Sequence, residues 1–275
     1  MNKTLFKLHN RLRLSEKNPS TVSPALDTAS DLRPMHKRGI YLLPNLFTIA
    51  GLFSGFYAIV AAMNQQFDNA GIAIFIAMIM DFLDGRIARL THTQSAFGAE
   101  LDSLSDMVSF GVAPALLIYT WSLQHLAKLG WLTAFMFAAS GALRLARFNT
   151  QLHVLDKRYF RGLPIPAAAG ILASSVWAGV DTKISGITVC ITLAVLAISA
   201  AALMVSNIRY YSFKELDHKG RVPFVAILAI VLAFIGISLD PPKILFLIFL
   251  SYGLSGPLLM ILNFYKAKKI MYKKL

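Results

Sequence analysis

The sequence predicts an all-α fold, a polytopic membrane helix bundle of about eight transmembrane helices. Three observations lead there. Hydrophobic residues make up 56% of the 275 residues, with a mean hydropathy of +0.59. They fall in runs of about 20, the length that a hydrocarbon core of ~30 Å requires of a helix. Charged residues are only 15%, yet the net charge is +13. A basic chain with so few charges fits a bilayer protein with cationic loops. A nucleic-acid binder would instead spread Lys and Arg over a folded polar face.

The runs span residues 41–63, 69–90, 99–123, 129–149, 164–180, 184–205, 222–239 and 243–264. The fifth is short and rich in Ala and Gly, a composition suited to close helix packing. With the N-terminus in the cytoplasm and eight alternating spans, 24 of the 27 Lys and Arg fall on the cytoplasmic side. Only Lys128, Lys183 and Lys243 fall outside. That asymmetry is the positive-inside signature, and it supports both the count and the orientation.

Three regions follow: a basic arm and linker over 1–40, a transmembrane catalytic domain over 41–265 and a basic tail over 266–275. In the arm, Lys3, Phe6, Lys7, Leu8, Arg11 and Leu12 allow either a short amphipathic helix on anionic lipid or a tail that only fixes topology. Pro19, Pro24 and Pro34 mark 15–36 as a linker. The first 40 residues lack the pattern of a cleaved secretory signal, so none is expected. Cys190, the single cysteine, sits mid-run and reads as a small packed hydrophobe.

The chemistry concentrates between residues 81 and 106. Asp81 and Asp84, at i and i+3, share one face of the second span. Asp102 and Asp106, at i and i+4, share one face of the third. A short connection brings both faces together near the cytoplasmic surface. A carboxylate at the bilayer centre costs ~2.5–3.5 kcal/mol, so four together need an offsetting positive charge. Arg86 and Arg89 could neutralise two of them, and the structural alternative is an acid–arginine glue between helices. Two divalent cations would neutralise all four, and hard oxygen donors favour Mg²⁺ or Mn²⁺ over Zn²⁺. A proton or ion pathway fits less well, because the acids cluster at one depth. Gly85, Ala88 and Gly98 stand among the acids and would let a bulky ligand approach the helix backbone. The six histidines show no metal-ligand spacing, and His92 reads as a surface loop residue.

The pattern Asp-x2-Asp-Gly-x2-Ala-Arg-x8-Gly-x3-Asp-x3-Asp, from Asp81 to Asp106, resembles the signature of the CDP-alcohol phosphotransferase family, with every position filled. Ser103 to Pro114, Arg144 to Asn149, Gly162 to Gly170 and Ser206 to Lys214 look like its phosphatidylserine synthase branch. The likeness covers about residues 40–215, and eight spans suit a branch whose common core is six helices. The resemblance implies transfer of a phosphatidyl group from CDP-diacylglycerol to L-serine, giving phosphatidylserine and CMP. Asp81, Asp84, Asp102 and Asp106 would ligate two divalent ions, with Asp106 also the general base. Gly85, Ala88, Arg89 and Gly98, with Pro44, Asn45 and Thr48 of the first span, would surround the cytidine diphosphate. Attack would be in line, without a phosphorylated enzyme. A homodimer in the inner membrane, its active site facing the cytoplasm, completes the expectation.

Arg144 and Arg147, at i and i+3 on the inner end of the fourth span, could hold the serine carboxylate as a guanidinium fork. The alternative is positive-inside anchoring with snorkelling side chains. Choline, glycerol phosphate and inositol phosphate remain open as other acceptors, and the cationic cluster from Arg144 to Arg161 suits a phosphorylated one. Arg209, Tyr210 and Tyr211 read as part of an interfacial aromatic belt. A membrane carrier is the remaining reading from a different class.

Overall fold

A computed structural model describes residues 36–91, 93, 95–151, 159–211 and 224–272. The arm and linker, His92 and most of the tail beyond the last helix lie outside the described residues, as do the loops at 152–158 and 212–223. Residues Arg38–Leu275 form one compact unit.

Each of the eight apolar runs is a helix. Helix α1 covers His36–Met63 and α2 Phe67–Leu90. The third run is α3 (Ala96–Asp106), a π-helical turn over Met107–Val112, and α4 (Ala113–Trp121). A 3₁₀ turn at Leu123–Leu126 leads into α5 (Lys128–Gln151). Then come α6 (Ile165–Asp181), α7 (Gly186–Val205), α8 (Phe224–Leu239) and α9 (Pro241–Tyr272). Five of these segments are long and apolar enough to cross a membrane: Leu43–Met63, Ala96–Trp121, Lys128–Thr150, Gly186–Val205 and Pro241–Leu262. Helix α2 carries the first two aspartates with Arg86 and Arg89, which lower its hydropathy. Helices α6 and α8 are short, at 17 and 16 residues.

Helix α6 explains why the weakest run is nevertheless central. Eleven of its 17 residues are buried, and it packs most extensively on α9 and α2. Ala and Gly let those neighbours come close. A Cβ on Gly170 would lie 2.7 Å from the Phe249 ring of α9. Enclosed by protein on several sides, α6 needs few large apolar residues of its own.

Polar side chains staple the first three helices together. Ser54 Oγ donates to Ala73 O at 2.8 Å, joining α1 to α2. Ser105 Oγ donates to Thr48 O and Ser109 Oγ to Gly51 O, each at 3.2 Å, joining the third run to α1. The backbones approach so closely that a Cβ on Gly55 would stand 2.6 Å from Ser109 Cα.

Two short strands add a feature that hydropathy does not disclose. Strand β1 (Tyr159–Arg161) pairs antiparallel with β2 (Arg209–Tyr211). Tyr210 is fully buried and does not belong to an interfacial belt. Its hydroxyl donates to Gly253 O at 3.0 Å. Pro257 lies inside α9 and has no N–H for the carbonyl four residues earlier, which is that of Gly253. The Tyr210 hydroxyl therefore satisfies an acceptor that the helix itself leaves open. Gly256 makes room for the ring, since a Cβ there would lie 2.4 Å from Tyr210 Cζ. Burial, with Tyr252 beside it, pushes the Tyr210 phenol up to about 12, so it stays a donor.

Candidate active site

The facing ends of α2 and α3 carry the acids. Asp81 and Asp84 lie in the last turns of α2, and Asp102 and Asp106 in the last two turns of α3. Ser95 starts α3 as its N-cap, accepting from Gly98 N–H at 3.0 Å, and so fixes where that helix begins. The π turn follows directly after Asp106. A π turn adds a residue to the helical repeat and so re-aims the helix beyond it, and such turns recur at functional sites.

The two helices bring carboxylate oxygens of Asp81, Asp102 and Asp106 within 4.8 Å of one another. Asp84 is 5% exposed, and its Oδ2 is buried without a hydrogen-bond partner. Like charges this close, partly out of water, repel strongly. An orphaned, buried carboxylate oxygen beside three convergent ones is the arrangement that hard divalent cations occupy. The donor set fits Mg²⁺ or Mn²⁺: all oxygen, with no sulfur or imidazole.

A cavity of about 360 Å³ opens against this cluster, and Asp84 and Asp102 form part of its wall. That volume lies in the range of small-molecule sites, ~300–1,000 Å³. Pro44, Asn45 and Thr48 of α1 line it, with Gly85, Ala88 and Arg89 of α2 and Gly98 of α3. All seven residues assigned to the nucleotide from the sequence thus share one cavity. Thr93, Ser95 and Ala99 complete it, and sequence reasoning passed over these three. Short hydroxyl and methyl side chains in a connection carry no periodic signal. A Cβ on Gly85 would meet nothing within 4 Å, so the space over this helix face is open. Arg89 lies along its own helix, with Nε donating to Gly85 O at 2.8 Å.

The two arginines of α5 part company. Arg144 lies within electrostatic reach of Asp106 and of Tyr252 on α9, and its buried Nε has no hydrogen-bond partner. Arg147 donates from Nη1 to Val205 O at 3.0 Å and to Asn207 Oδ1 at 3.4 Å, tying the inner end of α5 to the end of α7. Asn149 Nδ2 donates to Ser103 Oγ at 3.0 Å, linking α5 to the α3 turn that holds Asp102.

An acidic cluster shared by two membrane helices, opening onto a nucleotide-sized cavity, defines a membrane protein built to handle a phosphorylated ligand with divalent metal. The sequence profile of the CDP-alcohol phosphatidyltransferase family matches residues 41–205. The chain is 37% identical over 218 residues to the CDP-diacylglycerol–serine O-phosphatidyltransferase of Helicobacter pylori, covering 78% of this chain and 90% of that one. It is 33% identical over 234 residues to the Mycobacterium leprae enzyme of the same name, covering 80% of this chain and 75% of that one. For the Bacillus subtilis enzyme the figure is 36% over 174 residues, covering 63% and 92%. This chain belongs to the CDP-alcohol phosphatidyltransferase family.

Proposed function

We propose that the chain transfers the phosphatidyl group of CDP-diacylglycerol to the hydroxyl of L-serine, releasing CMP and forming phosphatidylserine. The observation that carries this reading is the convergence of Asp81, Asp102 and Asp106, with orphaned Asp84, on the wall of a cavity that also gathers the seven nucleotide-assigned residues. Relatives aligned over most of their length bear names that specify serine as the acceptor.

Asp81, Asp84, Asp102 and Asp106 hold two divalent ions, Mg²⁺ or Mn²⁺. When bound, the ions neutralise the diphosphate and stabilise charge on the leaving phosphate. The cavity floor of Gly85 and Ala88 accepts the nucleotide, and Pro44, Asn45, Thr48, Arg89 and Gly98 enclose it. The serine oxygen attacks the phosphorus next to the diacylglycerol. A new P–O bond forms in line with the P–O bond to the CMP phosphate, which breaks. Asp106, at the acceptor side beside Arg144, takes the serine hydroxyl proton. Arg144 orients the serine carboxylate, because its Nε is buried and uncommitted. Arg147, already bonded to the end of α7, supports that helix end and is the weaker candidate for direct contact.

The transmembrane catalytic domain spans 41–265, between a basic arm at 1–40 and a basic tail at 266–275. Both termini and the site face the cytoplasm in the inner membrane. The arm meets anionic lipid, and the protein works as a homodimer.

An acceptor panel tests the proposal. Purified protein with CDP-diacylglycerol and Mg²⁺ or Mn²⁺ is offered serine, choline, glycerol phosphate and inositol phosphate, and CMP release is followed. Serine alone should give rapid release. Release with another alcohol and none with serine would overturn the assignment.

A further inference from the structure

The connection between α2 and α3 places two threonines at the cavity rim whose hydroxyl protons can be traced. Thr91 Oγ1 donates to Ile87 O at 2.8 Å, and a hydroxyl has one proton to give. Thr91 and Thr93 are also bonded to each other, Oγ1 to Oγ1, at 2.6 Å. With the Thr91 proton spent on Ile87, Thr93 is the donor in that second bond. Thr93 is 8% exposed and lines the cavity, held by its own N–H donating to Ala88 O at 3.1 Å. What it has left to offer a ligand is its remaining lone pair, an acceptor. Ser95, two residues on, is in the opposite condition. It accepts from Gly98 N–H and keeps its proton to give.

We propose that Thr93, oriented by Thr91, makes the cavity select an amino-bearing pyrimidine, cytosine over uracil, by presenting only an acceptor at that point of the rim. A ring edge with an amino donor beside a bare ring nitrogen matches the Thr93–Ser95 pair. The uracil edge reverses the two, and sets a carbonyl oxygen against the Thr93 oxygen. An unmatched buried acceptor is a strong basis for rejection.

The inference rests on the nucleotide reading of the cavity but not on the acceptor alcohol, so its test omits serine. Binding of CDP, UDP and 2′-deoxy-CDP to the purified full-length protein is measured by calorimetry with Mg²⁺. Wild type should prefer CDP over UDP by about ten-fold or more, the worth of one net hydrogen bond. Thr93→Val should remove most of that preference by weakening CDP. Thr91→Val, at an exposed position, releases the Thr93 proton to donate, so UDP should gain on CDP. A preference that survives both substitutions would overturn the proposal. So would a Thr93→Val loss that vanishes with 2′-deoxy-CDP, because the partner would then be a ribose hydroxyl. Wild-type protein that binds neither CDP nor UDP would sink the nucleotide reading itself.

Discussion

The aspartates earn their place by what surrounds them. Three carboxylates whose oxygens lie within 4.8 Å of one another, and a fourth with an orphaned oxygen, are stable together only with cations between them. Asp102→Asn keeps the shape and removes one charge from both the cluster and the cavity wall. We expect it to insert normally and to lose CMP release by roughly 100-fold or more, as when other transition-state charge stabilisers are removed. Wild-type rates in that variant would exclude the metal role. The four acids were legible in the sequence because their chemistry demands fixed helical spacing. Tyr210 was not, since an aromatic near a helix end looks the same whether it faces headgroups or plugs a neighbouring helix. Its partner is set by Pro257, 47 residues away in sequence. Tyr210→Phe leaves the Gly253 carbonyl without its donor and should cost about 1–2 kcal/mol. A thermal-unfolding midpoint in detergent that does not move would show that the hydroxyl carries nothing.

At the scale of elements, the site depends on α1 keeping its distance from the third run. That helix contributes Pro44, Asn45 and Thr48 to the cavity, and Gly55 lies against the π turn. Gly55→Val would drive its side chain into Ser109, whose Cα is 2.6 Å from the new Cβ. Overpacking of this kind costs about 1–3 kcal/mol. The helices should spread, lowering both the unfolding midpoint and the affinity for CDP. Unchanged CDP affinity would mean that α1 does not set the cavity width. Helix positions were readable from hydropathy because lipid enforces long apolar runs. The π turn after Asp106 and the β1–β2 pairing were not, because both arise from contacts between segments distant in sequence. Helix α6 shows the reverse case, where small residues that weaken a hydropathy signal announced the most enclosed helix.

For the whole molecule, the distribution of cations decides orientation. Lys128 and Lys183 belong to loops on the face opposite the acids if the termini are cytoplasmic. With Cys190, which is buried, replaced by Ser, a cysteine at Lys128 should react with an impermeant maleimide in intact cells. One at Lys268 should react only after the membrane is opened. The opposite pattern would invert the topology. The central claim, that the chain catalyses phosphatidyl transfer through cations held by Asp81, Asp84, Asp102 and Asp106, is tested most directly by metal exchange. Purified protein is stripped with EDTA and returned to CDP-diacylglycerol and serine, and CMP is measured before and after adding Mg²⁺ or Mn²⁺. Release should stop on stripping and return with either ion; CMP formation that continues undiminished in EDTA would contradict it.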